Sequence, residues 1–467
     1  MTDERLIDLG AAETARRIRQ GELTPSEAVE ADIARIVEVN PALNAVVTPT
    51  FERAREEAAA ADRRIEGQGR EDLPALFGVP ITIKDCFPLE GARFTAGSWF
   101  HRDDVAAEDA AAVRLLRDAG AIVLGKTNIP DMCWGLESVN PVFGRTESAR
   151  RPGWSAGGSS GGEASIIASG GSHLGLGSDI GGSLRNPAAN NGCVSLKPTS
   201  GRVPTEGHVP EVPESVRSWN QVGPLARRVE DLTLALGVLD GGGSPELPAI
   251  EGTRCRVFTG NRSMVVSREV KSSVRRAAAA LGSAGMRIEA GPALPIQRMT
   301  VLYSHVLREQ ALPEINRQLG GGEEFSWPAE MRRSLAGDAR VSLEALSVYA
   351  YIAYGGVLKP GPGDSLEQVE RLKRQVIETV GDGVLLCPLL LTRPARRGVT
   401  WLPFTQVPMA VPFNMAGLPV AMVPVYWTAH GLPLSVQVVA GEGRDELALA
   451  VAGELESRLG GWRPLAE

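Results

Sequence analysis

The sequence predicts an α/β protein, with helices alternating with short apolar strands along the chain. Two observations lead there. Amphipathic stretches with helical spacing are followed by apolar runs only a few residues long, as where Glu108–Ala119 precedes Ala121–Leu124. Of the 467 residues, 43% are hydrophobic, enough to bury a large core between helices and a sheet.

The first 65 residues read as helices. Thr24, Pro25 and Glu27 form a capping-box start with Pro at the first helical position. Val29, Ile33 and Ile36 then share one face, and Asn40-Pro41 is the expected end of that helix. Residues 76–84 read as a buried strand entering a loop. Glu108–Ala119 reads as an amphipathic helix stopped by Gly120, with Ala121–Leu124 as the next strand. Val270–Ala284 is a helix, and Arg287–Ala290 leads into a strand position. Residues 291–360 are helix-rich, interrupted at Gly320–Gly322 and Gly355–Gly356; they either shape a substrate pocket or pack as ordinary helices. Val384–Leu391 and Pro433–Val439 are apolar strands, and Arg444–Arg458 is a closing helix.

Composition narrows the function. A net charge of −7, from 49 basic and 56 acidic residues, argues against a nucleic-acid partner. Arg-rich spots such as Arg393–Arg397 read as solvated faces. The five cysteines, Cys86, Cys133, Cys193, Cys255 and Cys387, show no CxxC spacing, so neither a disulfide framework nor a zinc site is expected. Reduced thiols fit a cytoplasmic protein. The start MTDERLIDLG is acidic and has no apolar run, so it does not read as a signal peptide. No apolar run reaches the ~18 residues of a membrane span.

Three motifs fail on context. Gly120–Thr127 (GAIVLGKT) matches a phosphate-binding loop pattern, but Ala-Ile-Val-Leu must be a strand and Asn128 and Pro130 follow instead of a helix. Gly158–Gly162 (GSSGG) matches a nucleophile elbow, yet Arg150–Gly157 is no apolar strand. A triad would also need a downstream histidine, and His430 sits in a turn at Ala429–Gly431. The histidines at 101, 173, 208, 305 and 430 show no metal-ligand spacing and read as surface or core residues.

The chemistry concentrates in residues 155–187, SAGGSSGGEASIIASGGSHLGLGSDIGGSLRNP. Two glycine-flanked serine clusters, Gly157–Gly162 and Gly181–Ser183, are joined by a small, mostly apolar segment. Glycine lets backbone N–H groups approach a ligand. Such loops suit a nucleophile, a second hydroxyl and an oxyanion hole, and equally a plain turn or a phosphate cradle.

The stretch resembles the amidase signature family of serine hydrolases, and especially its fatty-acid-amide-hydrolase branch. The shared element is Asp179–Ser183 (DIGGS) followed by Leu184, Arg185, Asn186 and Pro187. GVPITIKD (Gly78–Asp85), GKTNIPD (Gly125–Asp131), NPVFGRT (Asn140–Thr146), LKPTSGRVP (Leu196–Pro204), VGPLARRVED (Val222–Asp231), PFNMAGLPVAMVP (Pro412–Pro424) and GLPLSVQVVAGEGRDE (Gly431–Glu446) extend it. It covers roughly residues 5–235 and 384–458; about 240–380 is not distinctive.

The resemblance implies a large, mixed, twisted central β-sheet covered on both faces by α-helices. It implies one amidase domain over 1–467, with a signature core at about 70–235, a variable helical insertion at about 240–380 and a core return at about 384–458. It implies a hydrolase of carbon–nitrogen bonds in linear amides, acting on a small-molecule amide through a covalent acyl-enzyme. No cofactor and no metal are implied; a homodimer is common among relatives.

Carried over residue by residue, Ser183 matches the nucleophile, Ser159 the bridging serine with a cis peptide bond, and Lys84 the base. A lysine acts as a base only when neutral. Its ordinary pKa is about 10.4, and burial on an apolar strand lowers it. Lys84 follows Val79, Ile81 and Ile83, although a lone lysine at a strand end also fits an exposed charge. The N–H groups of Ile180, Gly181, Gly182 and Ser183 match the oxyanion donors. Asp179 and Arg185 are expected to hold the loop and Ser160 to support the relay. Cys133 and Trp134 match pocket-lining positions or pack simply. The chain departs from the family at Ala156, where Pro is common, and at Glu147–Pro152, which replaces an Asn-Pro-Trp element.

Other readings stay open. The A subunit of a tRNA-dependent amidotransferase usually reads DTGGSIRQP, with Thr and Gln where this chain has Ile180 and Asn186. An acyltransferase would use the same acyl-enzyme, and an idle binding protein would share the fold. Eight tryptophans and the apolar C-terminal loop expected at Val399–Trp427 suit an apolar or aryl substrate.

Overall fold

Thr24 opens its helix as the sequence requires: its hydroxyl accepts from the Glu27 N–H at 3.1 Å, and the Glu27 carboxylate accepts from the Thr24 N–H at 2.8 Å. The helix spans Pro25–Leu43 and so passes the expected stop at Asn40-Pro41. In a last turn a proline forfeits only one hydrogen bond, and the turn closes at Asn44, with φ of 50°. The Asn40 side chain instead accepts from the N–H groups of Ala45 and Val46, both at 2.8 Å, and clasps the strand that follows.

The computed structural model describes residues 5–261, 264–354, 365–399 and 408–465. Its strands in chain order are β1 (Val46–Pro49), β2 (Pro80–Lys84), β3 (Ile122–Thr127), β4 (Val139–Asn140), β5 (Gly144–Arg145), β6 (Leu174–Asp179), β7 (Val194–Lys197), β8 (Gln221–Ala226), β9 (Arg254–Val257), β10 (Arg287–Ala290), β11 (Val384–Pro388), β12 (Val420–Trp427) and β13 (Pro433–Ala440). Eleven form one sheet in the order β1-β3-β2-β6-β8-β7-β12-β13-β11-β9-β10, and β4 pairs with β5. The sheet is mixed: β2 runs parallel to β3 and β6, whereas β6, β8, β7, β12, β13 and β11 are successively antiparallel.

Apolar clusters lie against both faces. Helices Ala111–Asp118, Val229–Leu239, Arg268–Ser283 and Asp445–Leu459 contribute to one. Pro25–Leu43, Gly161–Ala168 and Arg185–Asn191 contribute to another, and the helices between 296 and 380 to a third. The α/β class and the mixed sheet are therefore present.

Two further expectations need correction. The first 65 residues are not all helical, because β1 pairs with β3 at the sheet edge. Four residues ending in Pro49 carry no periodic signal of their own. Residues 400–407 of the apolar stretch Val399–Trp427 lie outside the described residues, as do Gly355–Gly356. The remainder is not loop: Val411–Met415 is helix and β12 is a central strand. Prolines had masked a strand whose backbone pairs on both sides. Residues 122–127 of the phosphate-loop match form β3, and Lys126 lies 2.7 Å from buried Asp85. Among the described residues no helix is long and apolar enough to cross a membrane.

Candidate active site

Parallel pairing of β2 with β6 brings their carboxyl ends to one edge, where Lys84 closes β2 and Ser178 and Asp179 close β6. Ligand sites in α/β sheets favour such ends. The two serine loops follow the same logic. Gly157–Ser160 leads into helix Gly161–Ala168, Ile180–Leu184 leads into helix Arg185–Asn191, and the Ser160 N–H donates to the Ser183 carbonyl at 3.2 Å. Gly158 sits where a Cβ would lie 2.7 Å from the Gly135 carbonyl oxygen and 2.8 Å from the Glu137 nitrogen, so only glycine fits. The Gly158–Ser159 peptide is cis.

Lys84 is fully buried, and its Nζ lies 2.6 Å from Ser159 Oγ and 2.9 Å from Ser178 Oγ. Sequence reasoning passed over Ser178. Its signal was local: a serine in an apolar strand, one residue before Asp179. Ser160 Oγ reaches the Ser178 carbonyl at 3.5 Å.

Asp179 and Arg185 form a fully buried pair, with Arg185 Nε and Nη2 donating to the carboxylate at 3.0 and 2.9 Å. Burial would raise the Asp179 carboxyl, but the Arg185 charge and hydrogen bonds, with Asn414 and the Gly182 N–H, hold it well below the usual carboxylate range. Asp179 also accepts from the N–H groups of Gly182 at 2.7 Å and Leu184 at 3.1 Å. The Gly182 N–H is thus committed to Asp179 and shapes the loop, which leaves Ile180, Gly181 and Ser183 as the candidate oxyanion donors.

Ser183 lies where two pockets meet. The larger, about 650 Å³, is lined by Cys133, Trp134, Leu136, Ile180, Thr300, Tyr303, Leu307, Val348, Tyr351, Ile352 and Val411 and by no charged side chain. Helices Ile296–Val306 and Leu343–Tyr354 supply one wall. The smaller shares Cys133, Trp134, Ile180 and Ser183, and adds Ser159, Ser178, His208 and Asn220. Cys133 and Trp134 therefore both line the site. Burial raises the Cys133 thiol, but its hydrogen bond with Cys86, the Lys84 charge and the Ser159 hydroxyl outweigh this and lower it.

The remaining polar groups sort by depth. His208 is buried at the smaller pocket, and burial with the Lys84 charge lowers it to about 3, so it stays neutral. His173 lies in the core against Arg227, His101 pairs with exposed Asp104, and His430 sits in a surface turn. Burial also lifts Glu163 to about 8, against the Thr82 and Thr127 hydroxyls that donate to it. The divergent segment Glu147–Pro152 folds against the 395–397 loop, where Glu147 pairs with Arg397 and Ser155 N–H bonds the Ala395 carbonyl at 3.1 Å.

This fold and this pair of serine loops define a member of the amidase family, to which the chain belongs: the Amidase pattern matches residues 27–449. Among curated relatives the chain is similar to fatty-acid amide hydrolase 2-A of Danio rerio, at 36% identity over 98% of this chain and 90% of that protein. It is also similar to the A subunit of glutamyl-tRNA(Gln) amidotransferase from Synechococcus sp. (strain CC9311), at 32% identity over 96% of each chain. A solved amidase structure matches with a TM-score of 0.81 and 28% identity, over 97% of this chain and all of that one.

Proposed function

We propose that the protein hydrolyses small linear amides with an apolar acyl group, through a covalent intermediate on Ser183. The Lys84–Ser159 contact of 2.6 Å carries the reading. A neutral amine has two N–H donors and one lone pair. Ser178 Oγ, at 2.9 Å, accepts one donor, and the lone pair is left for the Ser159 hydroxyl. Ser159 passes its proton to Lys84 as it takes one from Ser183, and Ser183 Oγ attacks the amide carbonyl. The N–H groups of Ile180, Gly181 and Ser183 receive the oxyanion. Ser159 then protonates the leaving nitrogen, and water releases the acyl group by the reverse steps.

The amidotransferase reading fits less well. Glutamine carries a carboxylate and an ammonium, and the larger pocket offers no charged side chain to either. Co-purification of two stable partner proteins would restore it. Intact mass after exposure to a fluorophosphonate tests the chemistry. One adduct on the parent, absent from Ser183→Ala and slowed at least about 10²-fold in Lys84→Ala, is expected. Adduct persisting in Ser183→Ala would point to another nucleophile and sink the assignment. Hydrolysis of acyl amides graded in chain length then defines the substrate.

A further inference from the structure

No short spacing joins Cys86, Cys133 and His208, yet their ligand atoms all lie within 4.8 Å of one another. The backbone holds them there. The Val209 N–H donates to the Cys86 carbonyl at 2.9 Å and fastens the loop carrying His208 to the end of β2. Cys133 Sγ faces the Val209 carbonyl at 3.9 Å. Cys133 and the preceding Met132 have φ of 62° and 46°, a conformation that side chains rarely adopt and that turns this segment toward the cavity.

His208 supplies an independent observation. It is 6% exposed, and its Nε2 has no hydrogen-bond partner. Nδ1 lies 3.2 Å from the Pro210 carbonyl, which can only accept, and 3.4 Å from the Asn220 side-chain amide nitrogen; with the Nδ1 proton given to the nearer carbonyl, Nε2 keeps its lone pair. A backbone carbonyl fixing one nitrogen of a histidine so that the other can ligate is the usual outer-shell arrangement at a metal. A buried nitrogen left without a partner is costly, and a ligand would satisfy it.

We propose that Cys86, Cys133 and His208 bind one thiophilic divalent metal ion of the zinc class, beside Lys84 and Ser159, and that occupation silences the amidase. Tetrahedral zinc with sulfur at ~2.3 Å and nitrogen at ~2.0 Å needs ligand separations of about 3.5 to 3.8 Å, so no pair has to close by more than about 1.3 Å. Two sulfurs and an imidazole suit a soft ion, not calcium or magnesium. Both thiols release their protons to solvent, giving a neutral two-thiolate site with the fourth position open to water. Cys133 and His208 line the pocket that Ser159 and Ser183 share, so an ion held between them and Cys86 sits beside the reacting hydroxyls. The silencing rests on the assigned Lys84–Ser159–Ser183 chemistry; the binding does not.

The two are read separately on the full-length reduced protein. Titration with Co²⁺ should give a thiolate-to-cobalt band that saturates at one ion per chain and is displaced by Zn²⁺. The band should be lost in Cys86→Ser, and affinity should fall about 10-fold or more in His208→Gln. Because Cys86 is deeply buried, near-ultraviolet dichroism checks the fold of its variant, and His208→Gln, at the pocket wall, gives an independent arm. No band in the parent, or full binding in both variants, overturns the site. Zn²⁺ should lower amide hydrolysis about 10-fold or more, reversibly by chelator, and His208→Gln should need about 10-fold or more Zn²⁺ for the same loss relative to its own metal-free rate. A saturated band with an unchanged rate overturns the silencing. A parent that takes no fluorophosphonate at Ser183 overturns the chemistry, and the cobalt spectrum still decides the site.

Discussion

The Tyr303 hydroxyl donates to the Ile180 carbonyl at 3.2 Å, from helix Ile296–Val306 to the loop that carries Ser183. In a trans peptide the carbonyl of one residue and the N–H of the next point opposite ways. Tyr303 therefore aims the Gly181 N–H, a proposed oxyanion donor. Trp219 stacks on Tyr303 with ring centroids 5.4 Å apart and steadies it. Tyr303→Phe should lower kcat roughly 5- to 10-fold, the worth of one hydrogen bond, with little change in KM. Steady-state kinetics on one amide checks the split, and a rise in KM at constant kcat would assign Tyr303 to substrate binding.

Ser178 Oγ accepts from Lys84 Nζ at 2.9 Å, as a second hydroxyl beside Ser159. Ser178→Ala removes that acceptor and leaves the amine free to turn. Fluorophosphonate labelling should slow about 10-fold, between the parent and Lys84→Ala. Labelling at the parental rate would leave Ser178 as packing alone.

Asp179 and Arg185 are both fully buried, and neutralising one partner strands the other charge. Asp179→Asn should cost about 3–5 kcal/mol at pH 7 in denaturant unfolding. A carboxyl held below its unfolded value near 4 contributes above that value, and the contribution is lost as pH falls through the folded pKa. The penalty should therefore be undiminished at neutral pH and shrink in acid.

Glu163 behaves in the opposite sense. With its carboxyl lifted to about 8 by burial, the native state keeps a proton that the unfolded chain has lost above about pH 4.3. Its contribution is full below that value and declines as pH rises through about 8. Glutamine mimics the protonated acid. Glu163→Gln should gain on the parent by up to about 1.4 kcal/mol per pH unit between pH 5 and 7.5. Parallel unfolding curves at pH 5 and 7.5 test this, and a constant difference would refute it.

Val348, on helix Leu343–Tyr354, lines the apolar arm. Val348→Trp fills that arm and leaves the Lys84–Ser159 contact alone. Activity on long-chain amides should fall about 10-fold or more, and that on acetyl amides should hold within a few fold. Equal losses on both would place the acyl group elsewhere.

Local chemistry alone made much of this protein legible. The Thr24–Glu27 cap, the buried strand ending at Lys84 and the clustering of Ser159 and Ser183 in glycine loops follow from residue type and spacing, because turns, caps and periodic burial are local properties. β1 and β12 were hidden because their pairing is with distant strands and their prolines imitate loops. Only the tertiary structure decided which groups meet. Parallel pairing of β2 and β6 set Ser178 on Lys84, Asp179 took the Gly182 N–H, and a helical region with no distinctive motif delivered Tyr303 to Ile180. It also gathered Cys86, Cys133 and His208, which no spacing rule unites. Sequence specifies each side chain's chemistry; strand order and loop closure, which depend on contacts far apart along the chain, specify its neighbours.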